Sequence, residues 1–282
     1  MSAIITLITD FGSKDGYVAS LKGVILTINP TVTIVDVTHD IAPQNIFQAA
    51  FILQTVYTYY PENTIHLVVV DPEVGSDRHA VLLKTGTSFF IAPDNGVLSY
   101  IIDSSNDDIK MMPDTTISNS SKCAIRDKFQ ALVINNPKYW RQTVSTTFHG
   151  RDIFAPVAAH LSLGLDYRVF GEPAKYIKRI HIPKSSVNDS GSVVGQIIHI
   201  DNFGNLITNI KNQYITSEDL IVLVSGKKIK GLSRCYAEGR GLLAVIGSSG
   251  YVEISYYNGN AAHFLAAKVG DEIRILAVQN KS

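Results

Sequence analysis

Short β-rich runs and helical patterns alternate along the first half of the chain. AIITLIT (residues 3–9) leads into DGYVASLKGVILTI (15–28), and TVTIVDVT (31–38) leads into NIFQAAFILQTVYTYY (45–60). That rhythm predicts βα units around a largely parallel sheet. The run IHLVVV (65–70) is continuous and β-branched, the pattern of a strand covered on both faces. HAVLLKTG (79–86) and SFFIAPDNGVL (88–98) predict further strands joined by a Thr-Gly turn, and IFAPVAAHLSLG (153–164) predicts a later helix with Gly164 near its end.

The second half changes period. VVGQIIHID, LIVLVS, LLAVIGS, YVEISYY and EIRILAV are short, strand-like and separated by glycine turns, which predicts a compact all-β barrel or sandwich. The expected organisation is an N-terminal α/β domain over residues 1–182, a polar linker at 183–192, and a β domain over 193–282.

Composition narrows the function class. With 282 residues, 45% of them apolar, the chain can bury a sizeable core. Its 25 basic side chains balance 25 acidic ones, so no global field draws it to nucleic acid or an anionic membrane, and small-molecule chemistry is the expectation. Cys123 and Cys235 lie far apart without a CxxC spacing, which argues against a disulfide framework or a zinc knuckle. The opening apolar run follows no basic segment and ends at Asp10, so it reads as the first strand of a cytoplasmic protein.

Ligands of parallel sheets sit beyond the carboxyl ends of the strands, and three acids fall there: Asp10 in TDFG, Asp71 in VVVDP and Asp94 in IAPDNG. A carboxylate in such a place accepts hydrogen bonds from a ribose diol, ligates a metal, or caps a turn. Arg78 stands seven positions after Asp71, across a turn. In TTFHGRDIFAP, His149 precedes a helix beginning near Arg151 or Asp152. It is either a structural hydrogen bonder or a proton carrier, and Arg151–Asp152 can be only a charge arrangement at a helix start. TDFG lacks everything a kinase needs ahead of it, and no HxxxH, HExxH, GxSxG or Walker loop appears; His39–Asp40 reads as a turn. In HIDNFGNLITNI, Asp201, Asn202, Asn205 and Asn209 surround a strand–turn–strand, which is hairpin chemistry or, at Asn205, a donor–acceptor pair suited to a purine edge. Ser248, Glu253 and Asn258 sit among glycine turns and tyrosines.

Taken in order, TDFG, DGYVASLKG, VDVTHDIAP, VVVDPEVGSDR, IAPDNGVLS, TFHGRDIFAPVAAHL and DNFGNLITNI make the chain resemble the S-adenosyl-L-methionine hydroxide adenosyltransferase family, relatives of the fluorinases and chlorinases, over nearly its whole length. The resemblance implies an N-terminal α/β domain, a C-terminal β-barrel, and a homotrimer with active sites between subunits. It implies hydrolysis of S-adenosyl-L-methionine to adenosine and L-methionine without metal or cofactor. It assigns catalysis to Asp71, Arg78 and His149, with His149 accepting or relaying the proton. It assigns Asp10 to the ribose diol, Asn205 to adenine, and Asp201, Ser248 and Glu253 to the methionine end. The halogenating relatives carry a tyrosine where Asp71 stands, so the resemblance is to the water-using branch. One departure is Glu73, where the family usually has the first glycine of VDPGVG. Two alternatives stay open: a metal-dependent hydrolase using Asp10, Asp71, Asp94 and His149, and an adenosyl-ligand binding protein that does no chemistry.

Overall fold

The structure is a computed structural model that describes residues 2–103, 111–112, 120–124, 129–189, 191–215 and 219–277. The chain forms two compact units, Met1–His181 and Ile182–Ser282.

The first unit contains β1 (Ile4–Thr9), α1 (Tyr17–Ile28), β2 (Thr33–Thr38), α2 (Ile46–Val56), β3 (Thr64–Val69), β4 (Ala80–Lys84), β5 (Ser88–Pro93), α3 (Ser99–Asp103), β6 (Met111–Met112), β7 (Ser120–Ala124), β8 (Gln130–Ile134), α4 (Ala155–Ser162), β9 (Gly171–Pro173) and β10 (Tyr176–Ile180). Seven strands form one sheet in the order β2-β1-β3-β5-β4-β8-β9, and β10, β7 and β6 form a small second one. The expectation of a largely parallel sheet holds for β2, β1, β3 and β5 and stops there. From β5 onward, β4, β8 and β9 pair antiparallel. The cause is local: Thr85–Thr87 closes β4 and β5 into a hairpin, so no crossover helix intervenes and the direction reverses.

Burial follows the pleat. On one face Ile5, Leu7, Ile65, Leu67 and Val69 share a core with Leu21 and Ile25 of α1 and the alanine-rich face of α4, whose small residues let the two helices approach. On the other, Thr6, Ile8, His66 and Val68 are completely buried on the alternate positions, which is why β3 reads as an unbroken apolar run. His66 is held there as the neutral ring: Nδ1 meets Thr6 Oγ1 at 2.8 Å, the ring stacks on Phe90, and desolvation pushes its pKa down to about 4.

The second unit is a nearly closed antiparallel barrel-like sheet in the order β15-β14-β18-β12-β13-β17-β16. Its strands are β12 (Val193–Ile200), β13 (Leu206–Lys211), β14 (Leu220–Val224), β15 (Lys227–Lys230), β16 (Leu242–Ile246), β17 (Tyr251–Tyr256) and β18 (Glu272–Ala277), with β15 and β16 approaching at the ends. Alternating residues such as Val222, Val224, Ile273 and Ile275 fill its interior. It is not purely β, because α5 (Ala261–Leu265) follows β17, capped by the Asn260 side chain on the His263 N–H. The polar stretch 183–192 belongs to this unit and carries β11 (Ser186–Val187), which pairs with β12.

Candidate functional site

Strand β1 lies between β2 and β3, so chain connections leave it in both directions, and the crevice beyond its carboxyl end is where open α/β sheets place ligands. Asp10 follows β1 there and Asp71 follows β3. After Asp71 the chain makes a tight excursion through Gly75, whose φ is +84°. A Cβ on Gly75 would lie 2.5 Å from the Thr146 carbonyl oxygen, so only glycine lets the turn press against the segment that leads to His149.

This packing brings Asp71, Arg78 and His149 together. Arg78 Nε donates to both Asp71 carboxylate oxygens at 3.0 Å, and Nη2 donates to Oδ2 at 2.5 Å. The same Nη2 lies 2.8 Å from His149 Nδ1, and the guanidinium covers the buried Phe154 ring at 5.3 Å. The Arg78 and Asp71 side chains are only 2% and 6% exposed, so each charge depends on the other for compensation. Arginine has only donors, so Nδ1 of His149 must accept, and the neutral ring carries its proton on Nε2. Burial first, then the charge of Arg78, hold the His149 pKa below 6.5, while Asp71 and Asp152 act the other way.

His149 stands at the head of a π-helical turn, Gly150–Phe154, that runs into α4. Asp152 anchors the turn from inside. Its fully buried carboxylate accepts from Arg151 Nε at 2.7 Å, Arg151 Nη2 at 2.9 Å, Arg141 Nη1 at 3.1 Å and the Ser145 N–H at 2.8 Å. The pair Arg151–Asp152 is therefore more than a helix-start charge arrangement, which a partner ten residues upstream of Arg151 could not reveal in a linear reading. Phe148 packs edge to face against Phe11 and Tyr17, which are tilted against each other, with ring centroids 5.4 to 5.9 Å apart.

Asp10 lies at the crevice with one oxygen, Oδ2, accepting from the Gln44 N–H at 2.8 Å. Asp94 is used otherwise: its buried carboxylate accepts from the Lys178 N–H of β10 at 2.7 Å, a contact 84 positions along the chain that ties the end of β5 to that strand. Among the described residues no three His, Cys, Asp or Glu side chains are grouped to hold a metal ion.

On the barrel, Asp201 Oδ1 accepts from the Phe203 and Asn205 N–H groups at 2.9 and 2.8 Å, and Oδ2 accepts from Asn205 Nδ2 at 2.8 Å. The hairpin chemistry of this turn is thus real, and it leaves the amide oxygen of Asn205 free of any hydrogen bond among the described residues. Glu253 is buried on β17, where Tyr236 donates to Oε2 at 2.8 Å. Desolvation raises the Glu253 pKa against that hydrogen bond, with Asp201 adding to the rise, and burial together with Glu253 pushes the Tyr236 phenol up to about 12. Tyr236 carried no sequence signal, lying in an irregular stretch before β16. Gly247 sits directly against Glu253, and the exposed Ser248 follows it in the turn.

Residues 5–171 match the model of the SAM hydroxide adenosyltransferase N-terminal domain, and residues 195–274 match that of its C-terminal domain. The (R)-S-adenosyl-L-methionine hydrolase of Methanocaldococcus jannaschii is 33% identical, over 97% of this chain and 95% of its own. That of Salinispora arenicola is 30% identical over 97% of each chain. A fluorinase of an Actinoplanes species is 28% identical over 73% of this chain and 71% of its own. Among solved structures, an uncharacterized conserved protein from Thermotoga maritima matches with a TM-score of 0.83 and 33% identity, over 96% of this chain and 99% of that one.

Proposed function

The chain belongs to the SAM hydroxide adenosyltransferase family, and from that premise we propose that it hydrolyses S-adenosyl-L-methionine to adenosine and L-methionine. The observation that carries the reading is the buried Asp71–Arg78–His149 set at the carboxyl end of β3. In the proposed reaction, water or hydroxide attacks ribose C5′ as the C5′–sulfur bond breaks. The sulfonium leaves as the neutral thioether of methionine, so the leaving group takes no proton, and one proton passes to solvent.

The protein's task is then to orient a water and stabilise its hydroxide character. Arg78 is held rigid by the two oxygens of Asp71 and by Phe154, so its charge is already aimed before substrate arrives. With Nδ1 engaged by Arg78, His149 offers Nε2–H as a donor. In this reading it supports the hydroxide rather than serving first as the proton acceptor. Asp10 takes the ribose diol, Asn205 the adenine, and Asp201, Ser248 and Glu253 the methionine end. A homotrimer with sites between subunits and a cytoplasmic location belong to the same proposal, the first testable by light scattering. No step draws on a metal.

The test is to follow adenosine and methionine formation from S-adenosyl-L-methionine by EDTA-treated protein. Activity in wild type that is lost in Asp71→Asn, Arg78→Ala and His149→Ala while all three stay folded supports the assignment. Undiminished rates in the three variants contradict it.

A further inference from the structure

Behind Asp10 lies a hydrogen-bonded chain of side chains that the proposed reaction does not use. Its origin is an irregularity in β2: Leu7 pairs with Asp36, yet Ile8 pairs with Thr38, so Val37 is bulged out of the ladder. A bulge re-aims the residues around it. Here it turns Asp36 and His39 toward the end of β1. His39 Nδ1 meets Thr9 Oγ1 at 2.8 Å, and His39 Nε2 meets Asp36 Oδ1 at 2.9 Å. Lys22 Nζ of α1 holds the other oxygen of Asp36 at 2.5 Å.

The directions of these bonds follow from their partners. Asp36 only accepts, so His39 Nε2 carries the hydrogen donated to it, and Nδ1 of that tautomer accepts from the Thr9 hydroxyl, which itself accepts the Phe11 N–H at 3.3 Å. The same segment grips the backbone on both sides of Asp10. The Gly12 N–H donates to the His39 carbonyl at 2.8 Å, the Ile41 N–H to the Thr9 carbonyl at 3.4 Å, and the Gln44 N–H to Asp10 Oδ2 at 2.8 Å. Thr9 is 1% exposed, so its hydroxyl has no water to fall back on. Asp10 thus stands between Thr9 and Gly12, both of which are bonded to the 36–44 segment.

We propose that Thr9, His39 and Asp36 form a positioning relay that fixes the Asp10 carboxylate for the ribose hydroxyls, making His39 a positioning residue for nucleoside recognition. The inference rests on the reading of Asp10 as the ribose contact. It also gives a role to the VDVTHD stretch, which runs along β2 and through the turn after it.

Equilibrium binding of adenosine and of 2′- and 3′-deoxyadenosine to wild type, His39→Ala, His39→Asn and Asp10→Ala tests it, by calorimetry. Asn places an amide oxygen where Nδ1 stands, so it keeps the Thr9 contact. His39→Ala is expected to weaken adenosine about tenfold, the coupling typical of one hydrogen-bond network, and the deoxynucleosides less than about twofold, with His39→Asn recovering part of the loss. If His39→Ala weakens all three nucleosides equally while Asp10→Ala discriminates by ribose hydroxyl, the relay is overturned and the reading of Asp10 stands. If Asp10→Ala shows no dependence on the hydroxyls, or wild type binds no adenosine, the ribose reading is overturned and the relay with it.

Discussion

The polar cluster at the end of the N-terminal sheet and the one on the barrel follow opposite electrostatic plans. At the sheet, Asp71 is clamped by Arg78, and the guanidinium is shared with His149, so every charge has its partner before a ligand arrives. On the barrel, Asp201 and Glu253 are held by backbone N–H groups, an amide and a phenol, and no ion pair among the described residues reaches either carboxylate. A compensated, rigid charge suits a transition state, because it acts without reorganising. An uncompensated pair of acids suits a ligand that brings its own cation, such as the ammonium of a methionine. Mutations in the first cluster should therefore act on kcat and those in the second on KM.

The largest effect is expected at Arg78. Arg78→Ala should lower kcat about a thousandfold, the upper range for loss of one preorganised donor, and leave the buried Asp71 charge unpaired. Adenosine release by chromatography, with circular dichroism to confirm folding, measures it. His149→Ala should cost about a hundredfold in kcat in the same assay. On the barrel, Glu253→Gln and Asp201→Asn should raise KM about tenfold while changing kcat less than about threefold. A fall in kcat of the size seen at Arg78 would erase the contrast between the clusters.

Acidity separates the clusters again. The folded protein holds His149 below 6.5, so its neutral form persists as pH falls through 6.5, and kcat should lose the His149 contribution only at lower pH. Glu253 is raised above 4.5, so it loses its charge earlier on acidification than an ordinary glutamate, and KM should begin to rise there. Separate pH profiles of kcat and KM, compared with those of Glu253→Gln, show whether the KM limb disappears. The smallest effect is expected at Glu73. Its carboxylate reaches Lys178 Nζ at 3.4 Å in an exposed pair, and Glu73→Gly should change kcat less than about twofold in the same chromatographic assay.

What could be read from the sequence was what depends on neighbours along the chain. The strand-end positions of Asp10 and Asp71, the βα rhythm and the barrel strands all follow from short periodic runs and turn residues. The antiparallel part of the sheet is harder to read, because the run 79–86 and its Thr-Gly turn mark β4 and β5 without showing which strand lies on the far side of β4. The grouping of Asp71, Arg78 and His149 as a proposed catalytic set rests on family resemblance; spacing alone leaves Asp71 and His149 ambiguous, since the Arg78–His149 contact spans 71 positions. The anchoring of Asp152 by Arg141 and Ser145, and the Tyr236–Glu253 bond, are hidden for the same reason, because these partners lie 7 to 17 positions apart without a periodic pattern. The bulge at Val37 leaves no mark in the alternation of TIVDVT, so the link from Asp36 through His39 to Thr9 appears only in three dimensions.

The central claim is that water attacks ribose C5′. The direct measurement is to incubate EDTA-treated protein with S-adenosyl-L-methionine in ¹⁸O-water containing chloride and to analyse the products by mass spectrometry. Adenosine carrying ¹⁸O at its 5′ oxygen, formed by wild type and absent with Arg78→Ala, is the predicted result. A 5′-chlorinated adenosine, or adenosine without the label, would contradict it.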